Sequence, residues 1–380
     1  MLVAAIACCV ALWVGFALIV TWSLGRQYRA AVKFRESMKL DRALPRTELA
    51  VASDVERFCV DGPATPPETF LSSLGLRIFV YSWPPSGAYA GKRPKAIILY
   101  NPGLDTCGDV DLCRRGRLRD RVGYVGSWIN CLCERGFLVY SYDYSGMGRS
   151  DGVAKSWGTW PSLCFDYEDY VDEALQVAFL VRTRHPGLRV VAFGGSMGAC
   201  VGLNAVERHP ERFDLCVFFC PAVSFEKLKK LKQNKVLLPL LGVLSKLVPW
   251  LPLGEKAVDD AARLQEEIDV GRPAFHTGKL RTRYAEHGIA FGERAVSRAG
   301  RITHPLLILH AKDDEFADYL GAELLMAAAA TTDKTLIDDL DGFGHGLTAC
   351  DSQFLDNKFC KMIVHWIDAR LLLFDAADAT

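Results

Sequence analysis

Residues 190–200 read "VVAFGGSMGAC". A β-branched apolar run breaks into small residues around one serine, Ser196, held between Gly194 and Gly198. Glycine costs backbone entropy, so such a cluster needs a steric reason. A strand ending in a glycine turn is one reason. A Gly-x-Ser-x-Gly elbow is another: small neighbours let a strand pass sharply into a helix and leave the serine hydroxyl exposed at the turn. Five residues do not decide between them. The rest of the chain must supply a base, an acid and oxyanion donors in a matching order.

Serine is a poor nucleophile until a base takes its proton and an acid orients that base. Downstream, the apolar run Leu306–His310 leads into Ala311-Lys312-Asp313-Asp314, which puts a carboxylate just past a sheet strand. Next comes Leu340-Asp341-Gly342-Phe343-Gly344-His345-Gly346, a histidine among glycines in a loop. The order Ser, acid, His is the one this elbow demands. Of the eight histidines, His185 and His209 precede prolines, and His304 and His310 flank a strand. His276 and His287 fall in a helical insertion and His365 in the last helix, so these seven read as structural and His345 as the base. The tetrahedral oxyanion needs donors, expected from the backbone N–H of Met197 and from the loop Pro102-Gly103-Leu104.

Working outward, Leu74–Trp83, Ala96–Tyr100, Phe137–Tyr142, Val190–Phe193, Leu215–Phe219 and Leu306–His310 read as strands, several of them wholly apolar. Cys164–Thr183 and Ala199–Arg208 read as helices. Alternation of this kind predicts a mainly parallel α/β sheet with helices on both faces. From about 222 to 301 no convincing sheet strand is legible. Five lysines between Lys227 and Lys235 are followed by an apolar stretch, Val236–Leu253, in which Pro239, Pro249, Pro252 and Lys246 argue against a membrane span. This insertion reads as a helical cap over an active site, with Val243, Leu244 and Trp250 as candidates to line a groove. The basic run Cys113–Arg121 reads as a solvated loop.

The chain has 380 residues, half of them hydrophobic, with formal net charge zero. That balance excludes the basic footprint of a nucleic-acid binder. Thirteen cysteines show neither zinc spacing nor a disulfide framework, and read as reduced, buried thiols. No helical His-Glu-x-x-His, P-loop or dinucleotide fingerprint is present, so no metal or cofactor is expected.

Leu2–Leu24 is 23 residues long without a charge, enough to span a bilayer core of about 30 Å. Arg26, Arg29, Lys33 and Arg35 follow it and nothing basic precedes it, which orients the body toward the cytosol. None of the five asparagines begins a glycosylation sequon. Ser23-Leu24-Gly25 would also serve as a cleavage site, so a cleaved leader stays open. The expected organisation is an anchor (1–25), a charged stalk (26–70), a core in two parts (71–221 and 302–380) and the cap (222–301).

Several segments together resemble the monoglyceride lipase and lysophospholipase branch of the α/β-hydrolases, with a serine aminopeptidase S33-type domain, from about Leu74 to the C-terminus. These are "PKAIILYNPG", "YDYSGMGRSDG" (Tyr142–Gly152), "GGSMGA", "PLLILHAKDDEFAD" (Pro305–Asp318) and "GFGH". The resemblance implies Ser196 as nucleophile, Asp314 rather than its neighbour Asp313 as acid, His345 as base, and Leu104 and Met197 as oxyanion donors. The chain departs from the pattern where Pro102 replaces the histidine of the family's oxyanion loop, Gly195 the elbow histidine, and Ala199 the final elbow glycine. Three readings follow: a membrane-anchored serine hydrolase of a monoacyl lipid ester, contacting membrane through the anchor and the cap; an impaired hydrolase-fold binding protein; or a serine aminopeptidase.

Overall fold

The computed structural model describes residues 49–52, 62–63, 65–104, 106–113, 123–152, 166–230, 232–249, 251–255, 279–340, 342–347 and 357–378, with six residues between 15 and 29. Those six, Gly15, Trp22, Ser23, Gly25, Arg26 and Arg29, are helical. The rest of Leu2–Leu24, most of the stalk, the basic run 114–121, Asp105, Trp250 and His276 lie outside the described residues. Among the described residues no helix is long and apolar enough to cross a membrane.

Nine strands form one sheet. In chain order they are β1 (Ala50–Val51), β2 (Glu68–Leu71), β3 (Arg77–Trp83), β4 (Ile97–Asn101), β5 (Leu138–Tyr142), β6 (Val190–Gly195), β7 (Leu215–Phe219), and, after a separate pair of strands, β10 (Leu306–Leu309) and β11 (Lys334–Ile337). Their spatial order is β1-β2-β3-β5-β4-β6-β7-β10-β11. The pairings from β5 through β4, β6, β7 and β10 to β11 are all parallel. Those joining β1, β2, β3 and β5 are antiparallel.

Side chains alternate across each central strand, and because both faces are covered both sets are apolar. Ile97, Leu99, Val190, Ala192, Cys216 and Phe218 face one core layer. Against it pack α2 (Tyr167–Arg184), α3 (Met197–Arg208), α6 (Thr282–Arg298) and α7 (Leu320–Ala328). Ile98, Tyr100, Val191, Phe193, Val217 and Phe219 face the other, covered by α1 (Trp128–Cys133) and α8 (Lys358–Asp378). The fold is that of an α/β-hydrolase with a mostly parallel sheet.

Between β7 and β10 stand α4 (Glu226–Lys230), α5 (Lys232–Leu247), the paired antiparallel strands β8 (Pro252–Glu255) and β9 (Lys279–Arg281), and α6. This two-stranded sheet is a correction to a strandless insertion. Its strands are four and three residues long and kinked by a register shift between Pro252 and Gly254, so no two-residue alternation betrays them. Strand β2 and edge strand β11 were also not legible, being short and only partly buried.

Candidate active site

Ser196 sits between β6 and α3 with φ 54° and ψ −120°, a strained conformation for a residue with a Cβ. Its backbone is fixed from both sides: its N–H donates to the Phe219 carbonyl (3.0 Å), and its carbonyl accepts from Ala222 N–H (3.1 Å). The small neighbours have steric causes. A Cβ on Gly198 would lie 2.0 Å from the Asn101 carbonyl oxygen, because the loop after β4 rests on the first turn of α3. A Cβ on Gly195 would lie 2.0 Å from the Phe219 ring. That ring fills the space beside the elbow, which is why the family's histidine has no room here.

The three side chains singled out in the sequence converge. Ser196 Oγ lies 2.8 Å from His345 Nε2, and His345 Nδ1 lies 2.8 Å from Asp314 Oδ2. His345 occupies a short 3₁₀ turn, Gly344–Gly346, entered through Gly342 (φ 87°) and Gly344 (φ 51°). The edge of its ring meets Phe316 at 5.4 Å between centroids. Asp314 is fully buried, whereas its neighbour Asp313 is exposed and accepts from Gly342 N–H (2.9 Å). The two adjacent carboxylates therefore divide the work: one meets the imidazole, the other pins the loop that carries it.

Burial alone would push the Asp314 carboxyl up. Hydrogen bonds from His310 and His345, with the Ala317 N–H, outweigh that and hold it well below the usual range. Oδ1 accepts from the N–H groups of Phe316 (2.8 Å) and Ala317 (2.9 Å). Oδ2 faces His345 and also His310 Nε2, 3.3 Å away. A carboxylate with four donors stays ionised and keeps the His345 proton on Nδ1, leaving Nε2 bare to face the serine.

The loop after β4 lies beside the elbow, with the Cβ position of Gly103 3.8 Å from the Gly195 carbonyl oxygen. Gly103 N–H donates to Asp111 Oδ2 (2.8 Å), which also accepts from the Tyr100 hydroxyl. Gly103 N–H is thus committed within the loop, and Leu104, the donor expected from the sequence, follows it. Met197 opens α3, where backbone N–H groups lack intrahelical acceptors. Asp111 was not singled out in the sequence, Asp313 was read there only as the rival acid and His310 as structural; the contacts they make arise only from the folded loops.

Cys220, His310 and Asp314 bring one ligand atom each within 4.8 Å of one another. The set does not suit a cation: burial pushes the Cys220 thiol well above its ordinary value, and both Asp314 oxygens already accept hydrogen bonds. Cys107, Cys200 and Cys216 are likewise buried thiols, held protonated chiefly by burial.

Residues 117–351 match the family described as serine aminopeptidase, S33. The chain belongs to that family. Within it the chain is similar to the monoglyceride lipase of Homo sapiens, 28% identical over 269 residues, 69% of this chain and 78% of that one. It is 29% identical over 203 residues to the monoacylglycerol lipase of Mycolicibacterium smegmatis, 53% of this chain and 69% of that one. In three dimensions a soluble variant of monoglyceride lipase from Saccharomyces cerevisiae, solved with a substrate analog, superposes with a TM-score of 0.57. That likeness covers 84% of this chain and 98% of the other at 14% identity, and speaks to fold alone. The chain is thus a monoglyceride-lipase-like α/β-hydrolase, an enzyme of the serine esterase and lipase kind.

Proposed function

We propose that the chain hydrolyses the carboxylic ester of a monoacyl lipid, a monoacylglycerol or lysophospholipid, through an acyl-enzyme on Ser196. The observation that carries this reading is the continuous relay from Ser196 Oγ through His345 to Asp314, 2.8 Å at each step. Ser196 Oγ attacks the ester carbonyl carbon as His345 Nε2 takes its proton. The resulting oxyanion is met by the N–H groups of Met197 and Leu104. Collapse breaks the bond to the alcohol, which leaves with the proton from His345. Water, deprotonated by the same imidazole, then attacks the acyl carbon and releases a fatty acid and free Ser196.

Similarity to the monoglyceride lipases supports the lipid-ester class. The cap adds physical support. On α5, Leu240, Val243 and Leu247 are 52%, 54% and 68% exposed. The spacing i, i+3, i+7 puts them on one stripe, while Leu241 and Ser245 are buried on the other side. Val243 thus lies on the outer face of the cap instead of in an inner groove. Lys235 and Lys246 of the same helix are exposed. Lys227 and Lys229 are engaged internally, Lys227 with Asp318 and the Asp314 carbonyl, Lys229 with Glu226 and Glu293. An apolar stripe on a helix that also exposes cations suits an anionic lipid surface, each exposed cation contributing about 1 kcal/mol there. Leu2–Leu24 would hold the protein at that surface as a single-pass anchor with the catalytic body in the cytosol. Its length and lack of charge carry that assignment.

A chain-length series tests the substrate. Monoacylglycerols and lysophospholipids with long acyl chains are expected to be turned over with higher kcat/KM than short acetate esters. Each buried CH₂ adds about 0.8 kcal/mol to binding. Preference for the short esters, or for peptide substrates, by the folded full-length chain would contradict it.

A further inference from the structure

Asp314 is approached from two sides. One side holds His345. The other holds His310, the residue after β10, fully buried and anchored by its backbone N–H to the Ile337 carbonyl (3.0 Å). His310 Nε2 lies 3.3 Å from Asp314 Oδ2, the oxygen that meets His345, and 3.2 Å from the Ala317 carbonyl. Two oxygens with lone pairs facing one ring nitrogen fix the tautomer, since a bare Nε2 would face two acceptors and bond neither. The proton is therefore on Nε2. Nδ1 is buried with no hydrogen-bond partner among the described residues. An imidazolium would put an unmet N–H there, at a higher cost than a bare acceptor, so the ring is neutral. The titratable groups facing it are few. Cys220 and Asp314 flank it, His345 lies beyond the carboxylate, and Tyr319, packed edge-on at 5.8 Å, donates its hydroxyl to Asp338.

We propose that His310 is a positioning residue for the hydrolysis: as a neutral imidazole it donates Nε2–H to Asp314 Oδ2 throughout turnover. This rests on the assignment of Ser196, His345 and Asp314 given above. The donation holds the carboxylate plane so that Oδ2 stays in line with His345 Nδ1. A buried histidine that only filled space would not.

The test follows the rate of fluorophosphonate labelling of Ser196 in the full-length wild type, His310→Gln and His310→Leu. Glutamine places an amide N–H near the position of Nε2, and leucine removes the donor. The leucine variant is expected to label about 10–100-fold more slowly, from the misplaced carboxylate. Glutamine should restore the rate to near wild type. A leucine variant that labels as fast as wild type would overturn the proposal, as would a glutamine variant no better than leucine. The tautomer is read without any substitution: ¹⁵N-histidine NMR of the wild type should show one buried imidazole as the neutral Nε2–H tautomer. An Nδ1–H tautomer, or an imidazolium, would overturn it even where the leucine variant fails to fold. Wild-type protein that is not labelled at Ser196 would instead overturn the hydrolase assignment itself, and the NMR result would still stand apart from it.

Discussion

Replacing Gly195 by alanine isolates the physical cause of this chain's departure from its family at the elbow. The backbone there is extended β6 and carries no positive φ, so alanine meets no conformational penalty. The obstacle is one ring: the new Cβ would lie 2.0 Å from Phe219 Cε2 and under 3 Å from two more ring atoms. Restoring ordinary contact at about 3.4 Å requires the ring to retreat by about 1.4 Å. It cannot do so freely, with Trp128 at 5.5 Å, Phe193 at 5.6 Å and Tyr100 stacked at 6.2 Å. Overpacking in such a core costs about 1–3 kcal/mol, and the close aromatic neighbours put this case at the upper end. With an unfolding entropy of about 2.1 cal/mol/K per residue, 3 kcal/mol lowers Tm by about 4 °C for a chain of this length. Phe219→Leu in the same chain should relieve the clash, so the double variant should be more stable than the two single losses summed, by about 1 kcal/mol or more. Calorimetry of the four proteins is the assay. If Gly195→Ala melts within a degree of wild type, or the two losses simply add, steric exclusion by Phe219 is the wrong explanation.

Other outcomes follow from the same structure. Asp314→Asn should lower kcat on the order of 10⁴-fold by releasing the His345 tautomer, while Asp313→Asn, which keeps an acceptor for Gly342 N–H, should cost less than about tenfold; steady-state kinetics with one ester separates them. Burial pushes the Glu173 carboxyl up to about 8 from 4.5, so the folded state binds its proton more tightly than the unfolded state and stability falls as pH rises between those values. Glu173→Gln should therefore match wild type near pH 4.5 and exceed it by several kcal/mol at pH 9, on the order of 1.4 kcal/mol per pH unit crossed; denaturant melts at the two pH values give the answer. Asp314 works in the opposite sense: its depressed carboxyl stabilises the fold above its ordinary 3.8, and that contribution is lost as acidification protonates it. Changing Leu240, Val243 and Leu247 together to serine should weaken sedimentation with anionic vesicles without altering hydrolysis of a short soluble ester; unchanged sedimentation would remove the cap from the membrane contact. After alkaline carbonate extraction the full chain is expected in the membrane pellet, and release to the supernatant would contradict the anchor.

Much of the sheet was legible because its strands are short, apolar on both faces and bounded by loop residues, as in Leu215–Phe219, where the expected and observed limits coincide. Strands half exposed at an edge, such as Lys334–Ile337, carry no such signal. Ser196 and His345 were legible from chain order and flanking glycines. The choice of Asp314 over Asp313 came from the family resemblance alone, because adjacent carboxylates differ only in which way the folded turn points them. The clamps are a third kind of feature. Asp111 on the oxyanion loop, Asp313 on the histidine loop and His310 behind Asp314 are ordinary polar residues until distant backbone groups meet them.

The central claim, a hydrolase that acylates Ser196, is tested most directly by treating the full-length protein with a fluorophosphonate and mapping the modified peptide by mass spectrometry. One label per chain on Ser196 is the predicted result, abolished by Ser196→Ala and slowed by several orders of magnitude in His345→Ala. A label on another residue, or a Ser196→Ala variant that labels as fast as wild type, would contradict the account.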